Sequence, residues 1–259
     1  MSTTLKFSEK AHRYWLDGKP IPGVTTLLGK GLPKPALPYW AAKSVAEYVA
    51  DEPDSVEALR QMGRGPMIAA LKGIPWEKRD TAAVRGTAVH ALAEEVIHGR
   101  EVDVPEHLVA HVEGYVRWLD EFNVEPILTE RRIGNRKWWF AGTFDALVRI
   151  GGETLLVDLK TSKSIYGDVS AQVAAYANAE FFVDDDGEEQ SLPHIDGLAG
   201  IHVTEAGTQM YRFKDPAGAW KFFQHAAWLG RQMDAIKAQV GEPERAPGVP
   251  NPSDTEVAA

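Results

Sequence analysis

The fold of this chain is decided by one stretch, Ala141-Gly-Thr-Phe-Asp-Ala-Leu-Val-Arg-Ile-Gly-Gly-Glu-Thr-Leu-Leu-Val-Asp-Leu-Lys160. Two runs of β-forming residues flank Gly151-Gly152, a pattern that predicts a β-hairpin with a two-residue turn. A turn of that length pairs the residues on either side of the two glycines. Continuing this register places Asp145 directly opposite Asp158, on one face of the hairpin, with their Cβ atoms roughly 5 Å apart.

The opposed carboxylates suggest a cation site. Two like charges opposite each other destabilise a hairpin, and a bound cation removes the repulsion. Lys160 follows Asp158 by two residues and therefore projects from the same face of its strand. Carboxylates are hard ligands that suit Mg²⁺ and Mn²⁺, and such a cation can polarise a phosphoryl oxygen and activate water. The pattern thus fits phosphodiester hydrolysis, but it equally fits a surface cluster in which Lys160 neutralises both aspartates.

Composition excludes several classes of protein. The chain has 259 residues, of which 44% are hydrophobic and 25% charged, as in one large globular domain or a domain with an appendage. It contains no cysteine, which excludes disulfides, thiolate catalysis and cysteine-ligated clusters. We find no signal peptide and no membrane-spanning run, so we expect a cytoplasmic protein. Acidic segments at 180–190 and 240–259 account for the net charge of −9, whereas basic clusters at 60–85 and 131–137 can contact phosphates.

The remaining pattern predicts helices around a central sheet. We expect short strands within residues 5–22 and a short helix at 24–28 with a threonine cap. Residues 54–80 should be helical but interrupted by glycines and Pro75. Further helices are predicted over 39–50, 81–98 (capped by Thr81), 105–122, 168–182 and 216–240. Further strands are predicted over 127–133, 138–150, 153–160, 197–203 and 208–213. This order indicates an α/β fold of mixed α+β character, with a central mixed β-sheet flanked by helices.

Four motifs follow one another between residues 85 and 176. They are Arg85-Gly-Thr-Ala-Val-His90, Gly142-Thr-Phe-Asp145, Val157-Asp-Leu-Lys-Thr-Ser-Lys163 and Gln172-Val-Ala-Ala-Tyr176. In this order they resemble the PD-(D/E)xK nuclease superfamily, specifically its RecB-like exonuclease branch, which has phage-encoded and CRISPR-associated members. The resemblance implies a restriction-endonuclease-like core over 81–240. Residues 1–80 would be an N-terminal elaboration of strands and helices that forms part of a DNA channel. Beyond the core we expect a disordered tail over 241–259.

The resemblance also implies a catalytic centre. The catalytic residues would be Asp145, Asp158 and Lys160. The ligands of Mg²⁺ or Mn²⁺ would be His90, Asp145, Asp158 and the carbonyl of Leu159.

Other residues would meet the substrate. The resemblance assigns this role to Arg85, Gln172 and Tyr176, the last two of which share one helix face because they are four residues apart. Glu130 opens the strand before the site and is a further candidate for approaching the metal. Lys163 is a further candidate for a phosphate contact.

The expected function is therefore metal-dependent DNA exonuclease activity at DNA ends, in recombination, repair or replication. A phage origin fits the resemblance, and the location would then be the host cytoplasm. We expect no iron–sulfur cluster, because cysteine is absent, and no ATP dependence, because there is no P-loop. Expected partners are DNA and a single-strand annealing protein or a helicase, without a membrane. Two alternatives stay open: an endonuclease of the same superfamily, and a catalytically idle domain for DNA binding or assembly.

Overall fold

The computed structural model describes residues 5–8, 10–11 and 13–243 and shows a mixed α/β fold, which confirms the predicted class. The helices are α1 (Val24–Gly31), α2 (Ala36–Asp51), α3 (Pro53–Gln61), α4 (Arg64–Ile97), α5 (Val109–Glu121), α6 (Gly167–Ala177) and α7 (Pro216–Lys237). The strands are β1 (Lys6–Ser8), β2 (Arg13–Leu16), β3 (Lys19–Ile21), β4 (Glu125–Asn135), β5 (Phe140–Ile150), β6 (Glu153–Lys160), β7 (Phe181–Val183), β8 (Glu189–Gln190), β9 (Gly197–Thr204) and β10 (Gly207–Arg212). A 3-10 turn at Glu106–Leu108 leads into α5.

Seven strands form one mixed sheet in the order β10-β9-β6-β5-β4-β7-β8. Strands β4, β5 and β6 make an antiparallel meander at its centre. Strand β9 returns after α6 to lie parallel to β6, so the chain crosses over one face of the sheet. Asp145, Asp158 and Lys160 lie on β5 and β6 of this central meander.

The glycine turn produces the predicted register. Gly151 and Gly152 have φ values of 59° and 85°, the left-handed values that a two-residue hairpin turn requires. The β5–β6 ladder pairs Ile150 with Glu153 and continues through the pair of Ala146 with Val157. Asp145 and Asp158 are the next two residues, just past the last pair of the ladder.

Two apolar cores cover the two faces of the sheet. Helices α1, α6 and α7 pack on one face, against residues that include Phe140, Phe144 and Leu156. Helix α5 and the C-terminal half of α4 pack on the other, against residues that include Val148 and Leu155. Burial of both faces explains why β5 and β6 are largely apolar runs, which polar residues interrupt near the site and beside the glycine turn.

The short strands predicted within residues 5–22 are present, and they form a separate three-stranded sheet with a turn at Asp17-Gly18 between β2 and β3. Its buried residues Leu16 and Ile21 pack with Ala141 at the start of β5. The Ala141 N–H donates a hydrogen bond of 3.0 Å to the carbonyl of Pro22, which fastens this sheet to the central one.

Helix α4 corrects the expectation of an interrupted segment before residue 81. It runs without a break from Arg64 to Ile97, through Pro75. Ile74 and Pro75 are buried, so packing supplies the stabilisation that local propensity lacks. Thr81 does not cap a helix, because its hydroxyl donates to the Glu77 carbonyl one turn earlier at 2.9 Å. The expected boundary between residues 80 and 81 therefore lies inside one helix.

Three further expectations are corrected or concern residues outside the described ranges. Helix α1 begins after Gly23, with no side-chain cap bond, so the predicted threonine cap is wrong. Helix α6 ends at Ala177 rather than at residue 182, because the chain turns at Asn178 and Phe181 pairs with Gly134 of β4. Of the expected disordered tail, residues 244–259 lie outside the described residues. Among the helices that the structure describes, none is long and apolar enough to cross a membrane.

Candidate active site

The site begins where β5 and β6 separate. In a regular ladder the Leu159 N–H would donate to the carbonyl of Phe144. Instead it donates to Asp145 Oδ2 at 2.6 Å, so the carboxylate takes the place of a backbone acceptor. His90 of α4 reaches the same oxygen, with Nδ1 at 3.5 Å. Asp145 thus points toward α4.

A β-bulge brings Glu130 beside Asp145. The β4–β5 register shifts by one residue at Ile127, and beyond the shift Glu130 lies level with Asp145. Without the extra residue, Glu130 would lie level with Phe144 and on the other side of the strand. Glu130 also has a φ of 48°, a left-handed conformation that costs a non-glycine residue about 1–3 kcal/mol and that is concentrated at functional sites.

These contacts assemble a possible metal-binding group. One nitrogen of His90 and one carboxylate oxygen each of Glu130 and Asp145 lie within 4.8 Å of one another. The three residues come from α4, β4 and β5, so the group depends on the tertiary fold. A recess of about 30 Å³ adjoins them, lined also by Glu94 and Tyr115. That volume is enough for a water molecule or a small ion.

Asp158 belongs to a second group on the α6 side. It is 1% exposed, and its Oδ1 accepts a 2.7 Å hydrogen bond from Gln172 Nε2. Its Oδ2 forms an ion pair with Lys160 Nζ but receives no aligned hydrogen bond from the described residues. Gln172 Nε2 also lies 3.1 Å from the Tyr176 hydroxyl. The predicted common face of Asp158 and Lys160 is therefore present, as is that of Gln172 and Tyr176.

The closest set of ligand atoms differs from the predicted set. The sequence placed Asp158 opposite Asp145 as a fellow ligand and gave Glu130 a lesser role. In the structure Glu130 joins His90 and Asp145, while Asp158 is held by Lys160 and Gln172. The reason is that the ladder ends at Ala146, so the two aspartates turn to different neighbours.

Two acids in this site hold protons near neutral pH. Burial, followed by the charge of Asp145, raises the pKa of Asp158 to about 7, although Lys160 opposes the shift. Desolvation of its carboxylate, followed by the charges of Asp145 and Glu94, raises the pKa of Glu130 to about 7 as well. The Glu130 residue as a whole is exposed, so the crowding concerns the end that faces the site. Such acids are poised to exchange a proton for a cation.

The pKa values of the other three charged groups shift in favour of their charged forms. Burial would raise the pKa of Asp145, but the contacts with His90, Lys160 and the Leu159 N–H outweigh it and lower the value. Burial would lower the pKa of His90, but Asp145 outweighs it and raises the value. Burial would also lower the pKa of Lys160, but Asp158 outweighs it, so the pKa rises and the side chain stays protonated.

Tyr176 lies behind the site rather than along it. It is 4% exposed and packs against Gly142, where a Cβ atom would lie 2.6 Å from the tyrosine ring. The Tyr176 ring therefore occupies the space that a side chain at Gly142 of the Gly142-Thr-Phe-Asp145 motif would need. Tyr176 positions Gln172 from below and offers little surface to a substrate.

The remaining predicted residues lie around this centre. Arg85 is exposed on α4, five residues before His90, on the side of His111 in α5. Lys163 is exposed in the loop after β6. Leu159 reaches the site through its N–H, and its carbonyl remains a predicted ligand.

Two site residues escaped the sequence interpretation. Glu94 lines the recess and lies four residues after His90, so the shared helix face was a usable signal. The hydroxyl of Tyr14 in β2 lies 3.0 Å from Thr143 Oγ1. Burial raises the pKa of Tyr14, and the nearby charge of Glu130 adds to that rise. No local pattern links Tyr14 to a motif more than a hundred residues later.

Comparison with known proteins adds little. No family model matches the chain, and no curated protein matches it either. The crystal structure of SSO0001 is similar over 52% of this chain and 60% of its own, with 18% sequence identity and a TM-score of 0.26. The chain thus spans less than two thirds of that structure, and so distant a likeness carries no inference about function.

Proposed function

We propose that this chain is a divalent-cation-dependent deoxyribonuclease, an exonuclease that hydrolyses phosphodiester bonds at DNA ends. The observation that supports it best is the group of His90, Glu130 and Asp145 ligand atoms within 4.8 Å, beside the Asp158–Lys160 ion pair. The two carboxylates suit Mg²⁺ or Mn²⁺. Desolvation is the main cause of the raised pKa of Glu130, and the charges of Asp145 and Glu94 add a repulsion that a cation would relieve. The ordered motifs add the resemblance to RecB-like PD-(D/E)xK nucleases, with their restriction-endonuclease-like core.

The residues divide the work between them. A divalent cation held by His90, Glu130 and Asp145 would polarise the scissile phosphate and lower the pKa of water. Lys160 keeps its proton and offers a fixed positive charge to the developing charge on phosphate oxygens. Asp158 holds that ammonium in place, and its pKa of about 7 lets it take or give a proton at working pH.

The test is digestion of end-labelled linear duplex and single-stranded DNA with Mg²⁺ or Mn²⁺. Wild type should release label, and Lys160→Ala should be slower by at least about a hundredfold, as expected when a charge that stabilises the transition state is removed. The matched control is Lys221→Ala, which removes an exposed lysine of α7 and should digest like wild type. Equal rates for wild type and Lys160→Ala would overturn the mechanism.

The same assay separates the alternatives. An exonuclease leaves covalently closed circular DNA intact, whereas an endonuclease of the same superfamily cuts it. An idle DNA-binding or assembly domain would bind labelled DNA and cut neither form. A metal readout independent of activity is Mn²⁺ binding by calorimetry, which Asp145→Asn should weaken in every case. The cytoplasmic location and a single-strand annealing protein or helicase as partner belong to the same proposal.

A further inference from the structure

Helix α4 connects the metal-binding group to a region outside the sheet. Its C-terminal half packs on the sheet and carries His90. Its N-terminal half packs on the neighbouring helices, for example through Lys78 Nζ, which lies 3.2 Å from Glu47 Oε2 of α2. From Trp76 to His90 the helix rises about 21 Å, at about 1.5 Å per residue.

One face of α4 runs continuously toward the site. Residues spaced alternately four and three apart share a helix face. From the N-terminal half to the metal-binding group, the residues at this spacing are Lys72, Trp76, Arg79, Ala83, Gly86 and His90. We call this face the α4 stripe. At about 100° per residue, Glu77 lies on the far side of the helix and Asp80 lies to one flank of the stripe.

The outer half of the stripe is basic and aromatic. Trp76 is 59% exposed, an unusual amount for a tryptophan. The Arg79 guanidinium lies 4.6 Å from the centre of its ring. Arg79 Nε also donates to Asp80 Oδ1 at 2.8 Å, an exposed pair that contributes little and can give way to a phosphate. Lys72 is close to Trp76 on the same face, one turn earlier.

The half of the stripe nearer to His90 carries small residues. Ala83 and Gly86 add almost no side chain between Arg79 and His90. A Cβ atom at Gly86 would lie 3.2 Å from Thr161 Oγ1, so the helix passes close to the residue that follows Lys160. A chain that lies along the stripe therefore meets the end of β6 at Gly86, next to the Asp158–Lys160 pair.

We propose that the α4 stripe is a track for the single-stranded end of a DNA substrate, with Trp76 stacking on an unpaired base. This inference rests on the nuclease proposed above and names its substrate. An exposed aromatic ring beside basic residues is the combination that binds single strands, because unpaired bases offer a face to stack on and duplex bases do not. Trp76 and His90 are separated by the length of about six stacked nucleotides, at about 3.4 Å each.

The test measures binding without cleavage. Fluorescence anisotropy of the full chain in EDTA is recorded with a labelled oligothymidylate of about 16 nucleotides and with a blunt duplex of the same length. Wild type should bind the single strand more tightly. Trp76→Ala should weaken that binding about tenfold, Trp76→Phe should keep most of it, and neither should change duplex binding. The matched control is Trp228→Ala, which removes a tryptophan of α7 with 60% exposure and should bind like wild type.

A second measurement addresses the charges. Replacing Lys72 and Arg79 by glutamine should lower the slope of log affinity against log salt by about 0.7 for each phosphate that the variant no longer neutralises. Equal single-strand affinity for wild type and Trp76→Ala, or a preference of wild type for duplex, would overturn the track. Melting temperatures check that the variants fold, and Trp76→Phe tests the ring without truncation.

Failure of the track is distinguishable from failure of the nuclease. Hydrolysis of bis(p-nitrophenyl) phosphate with Mn²⁺ reports the chemistry on a substrate too small to lie along the stripe. If Trp76→Ala loses neither activity nor binding while Lys160→Ala loses this hydrolysis, the track is wrong and the nuclease stands. If wild type shows no hydrolysis but binds single strands through Trp76, the nuclease is wrong and the track stands.

Discussion

Glu130→Gln is the substitution that decides which residues hold the proposed divalent cation. It keeps the size of the side chain and removes its negative charge. A cation can bind a carboxylate only after the proton has left. Because the pKa of Glu130 is about 7, half of these carboxylates carry a proton at pH 7, and Mn²⁺ binding should release about 0.5 proton from this residue. From pH 8 to pH 6 its ionised fraction falls from about 0.9 to about 0.1, which weakens the apparent affinity about tenfold.

The direction of the pH dependence of Mn²⁺ affinity follows from the proposed ligands, taken one by one. The pKa of His90 is raised by Asp145, so His90 also gives up a proton on binding and strengthens the affinity as pH rises. The pKa of Asp145 is lowered, so it is already ionised at pH 7 and releases nothing. Wild type should therefore bind Mn²⁺ more tightly at higher pH. Glu130→Gln should bind it more weakly and with a shallower pH dependence.

The assay is isothermal titration calorimetry of Mn²⁺ at pH 7 in two buffers of different ionisation enthalpy, which counts the protons released. Asp158→Asn is the matched control, because Asp158 also has a pKa of about 7 but lies outside the group of three. Asp158 contributes less to the raised pKa of Glu130 than burial, Asp145 and Glu94 do, so this variant should keep more of the proton release than Glu130→Gln does. If Asp158→Asn loses the half proton and Glu130→Gln does not, the cation is held by the pair of aspartates predicted from the sequence, and the group of His90, Glu130 and Asp145 is not the metal site.

Two further predictions concern stability. Gly142→Ala adds a Cβ atom 2.6 Å from the Tyr176 ring and should destabilise the fold by about 1–3 kcal/mol in thermal melts. The control is Gly29→Ala, which has open space around it and should not destabilise the fold. Equal melting temperatures for the two variants would contradict the packing of Tyr176 on Gly142. The pKa values of Asp158 and Glu130 rise from 3.8 and 4.5 to about 7 on folding. The contribution of these raised pKa values to the free energy of unfolding is therefore full below about pH 4 and is lost as pH rises through 7. Melting temperatures in EDTA should accordingly fall more steeply between about pH 5 and about pH 7.5 for wild type than for Asp158→Asn, and parallel curves would refute the shift.

Local sequence was sufficient for the central hairpin. Gly151-Gly152 imposes the turn, and the turn fixes every pair up to Ala146 with Val157. Spacing alone also placed Lys160 beside Asp158 and Gln172 beside Tyr176, because two-residue and four-residue periods are properties of strands and helices themselves. These parts of the site depend only on neighbours in the chain.

The tertiary structure decided the rest. The bulge at Ile127 changes the register of β4 by one residue, and no local pattern marks it, yet it turns Glu130 toward Asp145. Burial of Ile74 and Pro75 keeps α4 helical through residues that weaken helices elsewhere, and so creates the stripe that ends at His90. The amino-acid sequence by itself determined the hairpin, the α/β class and the candidate residues. Which of those residues meet was settled by contacts between distant strands and helices, since their energies depend on packing that no single segment contains.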